Sequence, residues 1–106
     1  MTGCVVAMVT VPNIQEGRVI ARALVERGLA ACVNIIPEVH SIYRWQGDIE
    51  EDTESKLMIK TTSVRVCAMI EAVRDLHSYD VCEVTVIDVV GGNEPYLQWI
   101  QDSVAE

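Results

Sequence analysis

The chain has 106 residues, the usual length of one domain with its own core, and 50% of them are hydrophobic, which excludes a disordered polymer. Its formal charge of −8, from 16 acidic and 8 basic residues, argues against nucleic-acid binding, where phosphate neutralisation dominates affinity. No apolar run approaches the roughly 18–20 residues that a membrane helix needs.

The run CVVAMVTV (4–11) is apolar on both faces, as expected of a central strand ended by Pro12. No basic residue precedes it and no cleavage site follows, so it reads as a strand and not a signal peptide. A cytoplasmic location is therefore the expectation. Asn13 with Glu16 resembles a capping box and Gly28 supplies a stop, which predicts a helix over 14–27. Gly17, Ile20, Ala21 and Leu24 fall on one side of it, with Arg18, Arg22 and Glu26 opposite.

The segments 30–45 and 49–62 form a predicted long β-hairpin around a turn at Gln46-Gly47-Asp48. Pro37 cannot donate to a ladder, so it marks a bulge or a change of partner strand. Ser63 is placed to cap a second helix whose stripe is Val66, Ile70, Val73 and His77. A fourth strand is expected over VCEVTVIDVV (81–90), stopping at Gly91-Gly92. A short helix closes the chain, with Pro95 near its start and Tyr96, Trp99 and Ile100 on its apolar side. This order predicts an α+β fold: a ferredoxin-like βαββαβ sandwich over 1–106 as a single domain, with an extra C-terminal helix.

A hairpin arm of fifteen residues spans about 50 Å at roughly 3.3 Å per residue. A compact domain of this size has a radius of gyration of only about 13 Å. The overshooting part carries Ile42, Tyr43, Trp45 and Ile49, and the fourth strand is apolar on both parities. Exposed edges of that kind need a cover. A closed homo-oligomer is the expectation.

The stretch LHSYDVCEV (76–84) packs five side chains able to move a proton or bind a metal into nine positions. His77, on an apolar stripe at a helix end, reads more readily as a core residue or a C-terminal cap than as a ligand. The acidic run GDIEEDTE (47–54) lacks the glycine and glutamate spacing of a calcium loop and reads as a solvated hairpin tip. The four cysteines, at 4, 32, 67 and 82, form no CxxC pair. Glu83 is the outlier: a carboxylate among Val81, Val84 and Val86 must be paired or solvated in a cleft, and Lys60 is its expected partner. Tyr43, Trp45, Lys60, Tyr79 and Glu83 are together the candidate lining of a cleft between subunits.

Four separated motifs resemble the CutA family of divalent-cation tolerance proteins: LAACVNIIPEVHSIYRWQGDIEE (29–51), LMIKT (57–61), LHSYDVCE (76–83) and GNEPYLQWI (92–100). The resemblance covers nearly the whole chain. It implies a ferredoxin-like subunit in a homotrimer similar to the PII signalling proteins, no enzymatic reaction, and an association with copper and other divalent cations. No cofactor is required, although copper or another divalent cation is a possible ligand. By the resemblance Cys32 is the copper-linked cysteine, while Val9 and Ala72 stand where some relatives have further cysteines, so weak copper binding through Cys32 is the expectation, with His77 as the expected imidazole partner. Ser78 and Cys82 stand where proline is usual, which implies a less rigid turn. The competing expectation is a PII-like sensor that binds a small anionic ligand in its inter-subunit clefts. An acylphosphatase-like hydrolase shares the element order, but VTVPNIQEG offers no arginine for its anion loop.

Overall fold

A computed structural model describes residues 2–104. In chain order it contains β1 (Cys4–Val11), α1 (Ile14–Glu26), β2 (Cys32–Trp45), β3 (Asp48–Thr62), a 3-10 turn (Ser63–Arg65), α2 (Val66–Leu76), β4 (Thr85–Asp88) and α3 (Glu94–Ser103). The four strands make one antiparallel sheet in the order β2-β3-β1-β4. The expected α+β, ferredoxin-like arrangement with a C-terminal helix is the observed one.

Helix α1 starts as its sequence requires, with the Asn13 side chain accepting the Glu16 N–H at 2.9 Å. The reciprocal half of the capping box is not made, because the Glu16 carboxylate is used by Ser78 instead. Gly28, at φ +69°, ends the helix. Gly17, Ile20, Ala21 and Leu24 are its buried face. A β-carbon on Gly17 would lie 3.3 Å from both Leu57 Cδ2 and Val11 Cγ2, so the helix sits as close to the sheet as a bare backbone allows.

Ala7, Val9 and Val11 of β1 and Leu57 and Ile59 of β3 point toward the helices and are fully buried with Ile20, Leu24, Met69 and Val73. Residues of opposite parity point to the other face: Val6, Met8 and Thr10 on β1, Lys56, Met58 and Lys60 on β3, and Cys32, Asn34 and Ile36 on β2. Helix α3 covers only one end of that face, where Leu97 and Ile100 bury Cys4.

The hairpin closes through Gln46 and Gly47, both at positive φ, the geometry of a two-residue type I′ turn. Pro37 sits at a bulge: Ile36 pairs with Lys56 but Val39 pairs with Glu54, so β2 gains one residue there. Ser55 Oγ secures it by donating to the Pro37 carbonyl at 2.7 Å. The bulge reverses the parity of β2. Beyond it, Val39, Ser41, Tyr43 and Trp45 join Glu54, Asp52, Glu50 and Asp48 on the face continuous with Lys56.

Four expectations are corrected. Ser63 opens a 3-10 turn and makes no side-chain cap to α2. On α2, Met69 and Ala72 are buried beside the expected Val73 and His77, while Val66 and Ile70 are only half-buried. On α3, Leu97 and Ile100 are buried, while Tyr96 and Trp99 stack on each other at 5.6 Å on the outside. Strand β4 spans only Thr85–Asp88, since its ladder with β1 ends at the Met8–Thr85 pair.

Candidate functional site

Where β4 falls short, His77 takes over the edge of β1. Its Nε2 lies 2.7 Å from the Thr10 carbonyl, and its Nδ1 accepts the Tyr79 N–H at 3.0 Å. The acceptor role of Nδ1 puts the ring proton on Nε2. The side chain has no exposure, and the ring packs against Tyr79 at 4.8 Å. Ser78 donates both its N–H and its hydroxyl to Glu16 Oε2, each at 3.0 Å. The turn is thus tied to α1 through an N–H that proline would lack, which corrects the expected loosening at Ser78.

Glu83 lies just ahead of β4, over the face away from α1 and α2. Its Oε1 accepts from Thr10 Oγ1 at 2.6 Å and from Lys56 Nζ at 2.9 Å, and its Oε2 accepts from Thr85 Oγ1 at 3.0 Å. Burial pushes its pKa up, but these three hydrogen bonds and the Lys56 charge outweigh it and hold the carboxyl below its ordinary value. Lys56, not Lys60, is the partner. The two lysines share a parity on β3, and Lys60 donates instead to Asn34 Oδ1.

Two positions along β3 from Lys56, the nearly buried Glu54 accepts the Tyr79 hydroxyl at 2.7 Å. Burial, then the bond to Glu54, drives the Tyr79 pKa well above the tyrosine range. Asp52 accepts the Tyr43 hydroxyl, which with neighbouring carboxylates pushes that phenol up to about 12. Tyr43, Tyr79 and Glu83 therefore lie along one polar strip at the base of the hairpin, with Asp52, Glu54, Lys56 and Thr10. Trp45 stands two positions beyond Tyr43, at the exposed tip, and Lys60 lies toward α3. Asp52, Glu54, Lys56 and Thr10 are the members that sequence reasoning missed. Parity on β3 is the signal that groups the first three. A separate cavity of about 590 Å³ beside α2 is lined by Cys67, Glu71, Arg74, His77, Tyr79 and Cys82, and takes no residue from the hairpin.

Residues 5–103 match the family model described as CutA1 divalent ion tolerance protein. The chain belongs to this family. It is 56% identical over 100 residues to the Protein CutA homolog of Xenopus laevis, covering 94% of this chain and 66% of that protein. It is 46% identical over 98 residues to the Divalent-cation tolerance protein CutA of Thermus thermophilus, covering 92% of this chain and 95% of that one. The crystal structure of CutA1 from Oryza sativa superposes with a TM-score of 0.95 at 41% identity, covering 100% of this chain and 99% of that one. The chain spans 66% of the length of the frog protein and 53% of the human relative.

Membership in the CutA1 family raises the question of a metal, and the residues expected to hold copper do not come together. Cys32 lies on the face away from α1 and α2. His77 is buried at the edge of β1, with both ring nitrogens engaged. Among the described residues, no three His, Cys, Asp or Glu side chains cluster so as to hold a metal ion. The expected Cys32–His77 pair is therefore withdrawn. No helix among the described residues is long and apolar enough to cross a membrane.

Proposed function

We propose that this chain works as a closed homotrimer that responds to divalent cations, by binding ions or by regulating partner proteins, and that it catalyses no reaction. Membership of the CutA1 divalent ion tolerance family supports the cation side of this reading. One observation carries the assembly. The sheet presents a face that α3 covers only at the Cys4 end, and the hairpin stretches the domain to 44 Å against 25 and 22 Å in the other directions. Along that arm and on β4, Ile42, Trp45, Ile49 and Ile87 are 69%, 54%, 61% and 58% exposed. Apolar surface of that extent on a strand pair is stable in water when a second copy covers it.

In this reading the polar strip lies at the edge of an inter-subunit cleft, with Tyr43, Trp45, Tyr79 and Glu83 among its walls. Its carboxylates, Asp52, Glu54 and Glu83, suit a cation better than an anion. A PII-like sensor of small anions is the second reading, favoured by the two ammonium groups of Lys56 and Lys60 on one face. Against it, each is already held, by Glu83 and by Asn34. No cofactor is required, and the cytoplasm is the proposed compartment, in keeping with four free cysteines.

Sedimentation equilibrium at micromolar concentration tests the assembly, and the expected mass is that of three chains. A mass of one chain overturns it. Calorimetric titration of the same sample with divalent cations and with nucleotides separates the two readings, since heat with nucleotides alone would reverse their order.

A further inference from the structure

We infer that the helix side of the domain carries a site for a small amphipathic anion, in the groove between α1 and the edge strand β2. The groove holds about 480 Å³, within the roughly 300–1,000 Å³ usual for ligand pockets. One wall is Arg18, Ala21, Arg22 and Val25, which form a single stripe of α1 at spacings of three and four. The floor is Val33 and Ile35 of β2. Both pack on the buried core behind them, so the floor is held in place. Ile35 reaches under the first turns of α1, where a β-carbon added to Gly17 would meet its Cγ2 at 3.9 Å.

The two arginines stand out from the other cations. Lys56, Lys60, Arg44 and Arg65 each donate to an acceptor within the chain. Among the described residues Arg18 and Arg22 have no such partner, although the chain has 16 acidic residues to 8 basic ones. Glu26 borders the groove one turn beyond Arg22 and makes no ion pair with it. Residues four apart on a helix are neighbours, so the two guanidinium groups repel each other until an anion stands between them. Each presents a planar fork that pairs with carboxylate or phosphate oxygens through two parallel hydrogen bonds. With the anionic head at Arg18 and Arg22, the apolar body of the ligand lies along Ala21, Val25, Val33 and Ile35. Val25, 45% exposed without a ligand, gains the cover it lacks.

Size favours a small molecule over a protein. A stable protein partner engages about 20–30 residues on each side, several times what this groove presents. The net charge of −8 repels anions at long range, so the attraction is confined to the two forks. Val33 and Ile35 face α1, away from the face that the proposed trimer would cover and from the polar strip. The site therefore does not depend on that assembly or on the cation reading.

The test is NMR titration of the isotope-labelled full chain with naphthoate and with naphthyl phosphate, following the methyl groups of Val25, Val33 and Ile35. The two probes share one apolar body, so they tell a carboxylate ligand from a phosphate ester. Saturable shifts at those methyls are expected with at least one of them, at a Kd of about 1 mM or tighter for ligands of this size. Naphthalenemethanol, which lacks the charge, should bind at least about tenfold more weakly. The double variant Arg18→Gln with Arg22→Gln should weaken anion binding by about the same factor, and both side chains are exposed, so the fold is kept. Arg74→Gln, on the exposed side of α2, should leave affinity unchanged. Parent affinity in the double variant, equal binding of the neutral alcohol, or shifts centred on other methyls would each overturn the site. Shifts with hexaglutamate but with neither naphthyl anion would overturn it in favour of an acidic polypeptide. Shifts that grow with protein concentration alone would give the groove to a second copy of the chain.

Discussion

The two faces of the sheet are made by the same strands and have opposite fates. On the face toward α1 and α2, Ala7, Val9, Val11, Leu57 and Ile59 lose all contact with solvent within the chain. On the other, Val6, Met8 and Met58 stay half-buried, Ile36 and Ile87 are exposed, and α3 shelters only the Cys4 end. A strand such as CVVAMVTV is apolar on both parities because both faces of its sheet are to be covered. Here the chain itself supplies one cover, and the proposed trimer would supply the second. The hairpin extends that contrast outward, carrying Ile42, Trp45 and Ile49 past the helices altogether.

The covered face is broken most severely by Leu57→Ala. This side chain is fully buried under α1, and truncation should cost about 2–5 kcal/mol, read as a lowered urea midpoint. Trp45→Ala addresses the uncovered side. If the hairpin is buried between copies, it should cost about 3–5 kcal/mol and make melting depend more steeply on protein concentration. In a lone chain Trp45 is more than half exposed, and its loss should then cost only about 0.5 kcal/mol.

Tyr79→Phe removes the donor to Glu54 and leaves a nearly buried carboxylate without that partner, at a cost of about 1–2 kcal/mol in denaturant unfolding. Glu83→Gln should cost less, about 0.5–1 kcal/mol, because its ion pair with Lys56 is partly solvated. The pH dependence has a definite sign. The folded-state pKa of Glu83 is depressed, so its contribution is fully present above the ordinary value of 4.5 and disappears as pH falls through the lower folded value. Stability of the parent should thus fall more than that of Glu83→Gln on acidification below pH 4.5.

Much of the fold was legible because its signals are local. The alternation in LMIKT, the Asn13 cap and the spacing Gly17–Ile20–Ala21–Leu24 each fix an element without reference to the rest. The strip at the base of the hairpin was only partly legible, because it depends on register. Lys56 and Lys60 have the same parity, and only the pairing of Thr10 with Lys56 decides which one meets Glu83. Likewise, counting parity straight through Pro37 puts Tyr43 on the side of Val33 and Ile35, and the bulge moves it to the other face beside Asp52. Strand β4 was overread because Val81 and Val84 have strand-forming side chains, whereas the Thr10 carbonyl is taken by the His77 ring. No sequence pattern reveals that both nitrogens of that ring are spent.

Timed alkylation of the native protein with a bulky maleimide, read by mass spectrometry, compares a thiol on the outer side of α2 with one on the uncovered face of the sheet. Cys67 is exposed at the start of α2, and Cys32 is half-buried on the uncovered face. If neighbouring copies cover that face, Cys67 reacts quickly, and Cys32 stays unmodified, like the buried Cys4, until denaturant is added. Modification of Cys32 at a rate comparable to that of Cys67 in the native protein would contradict it.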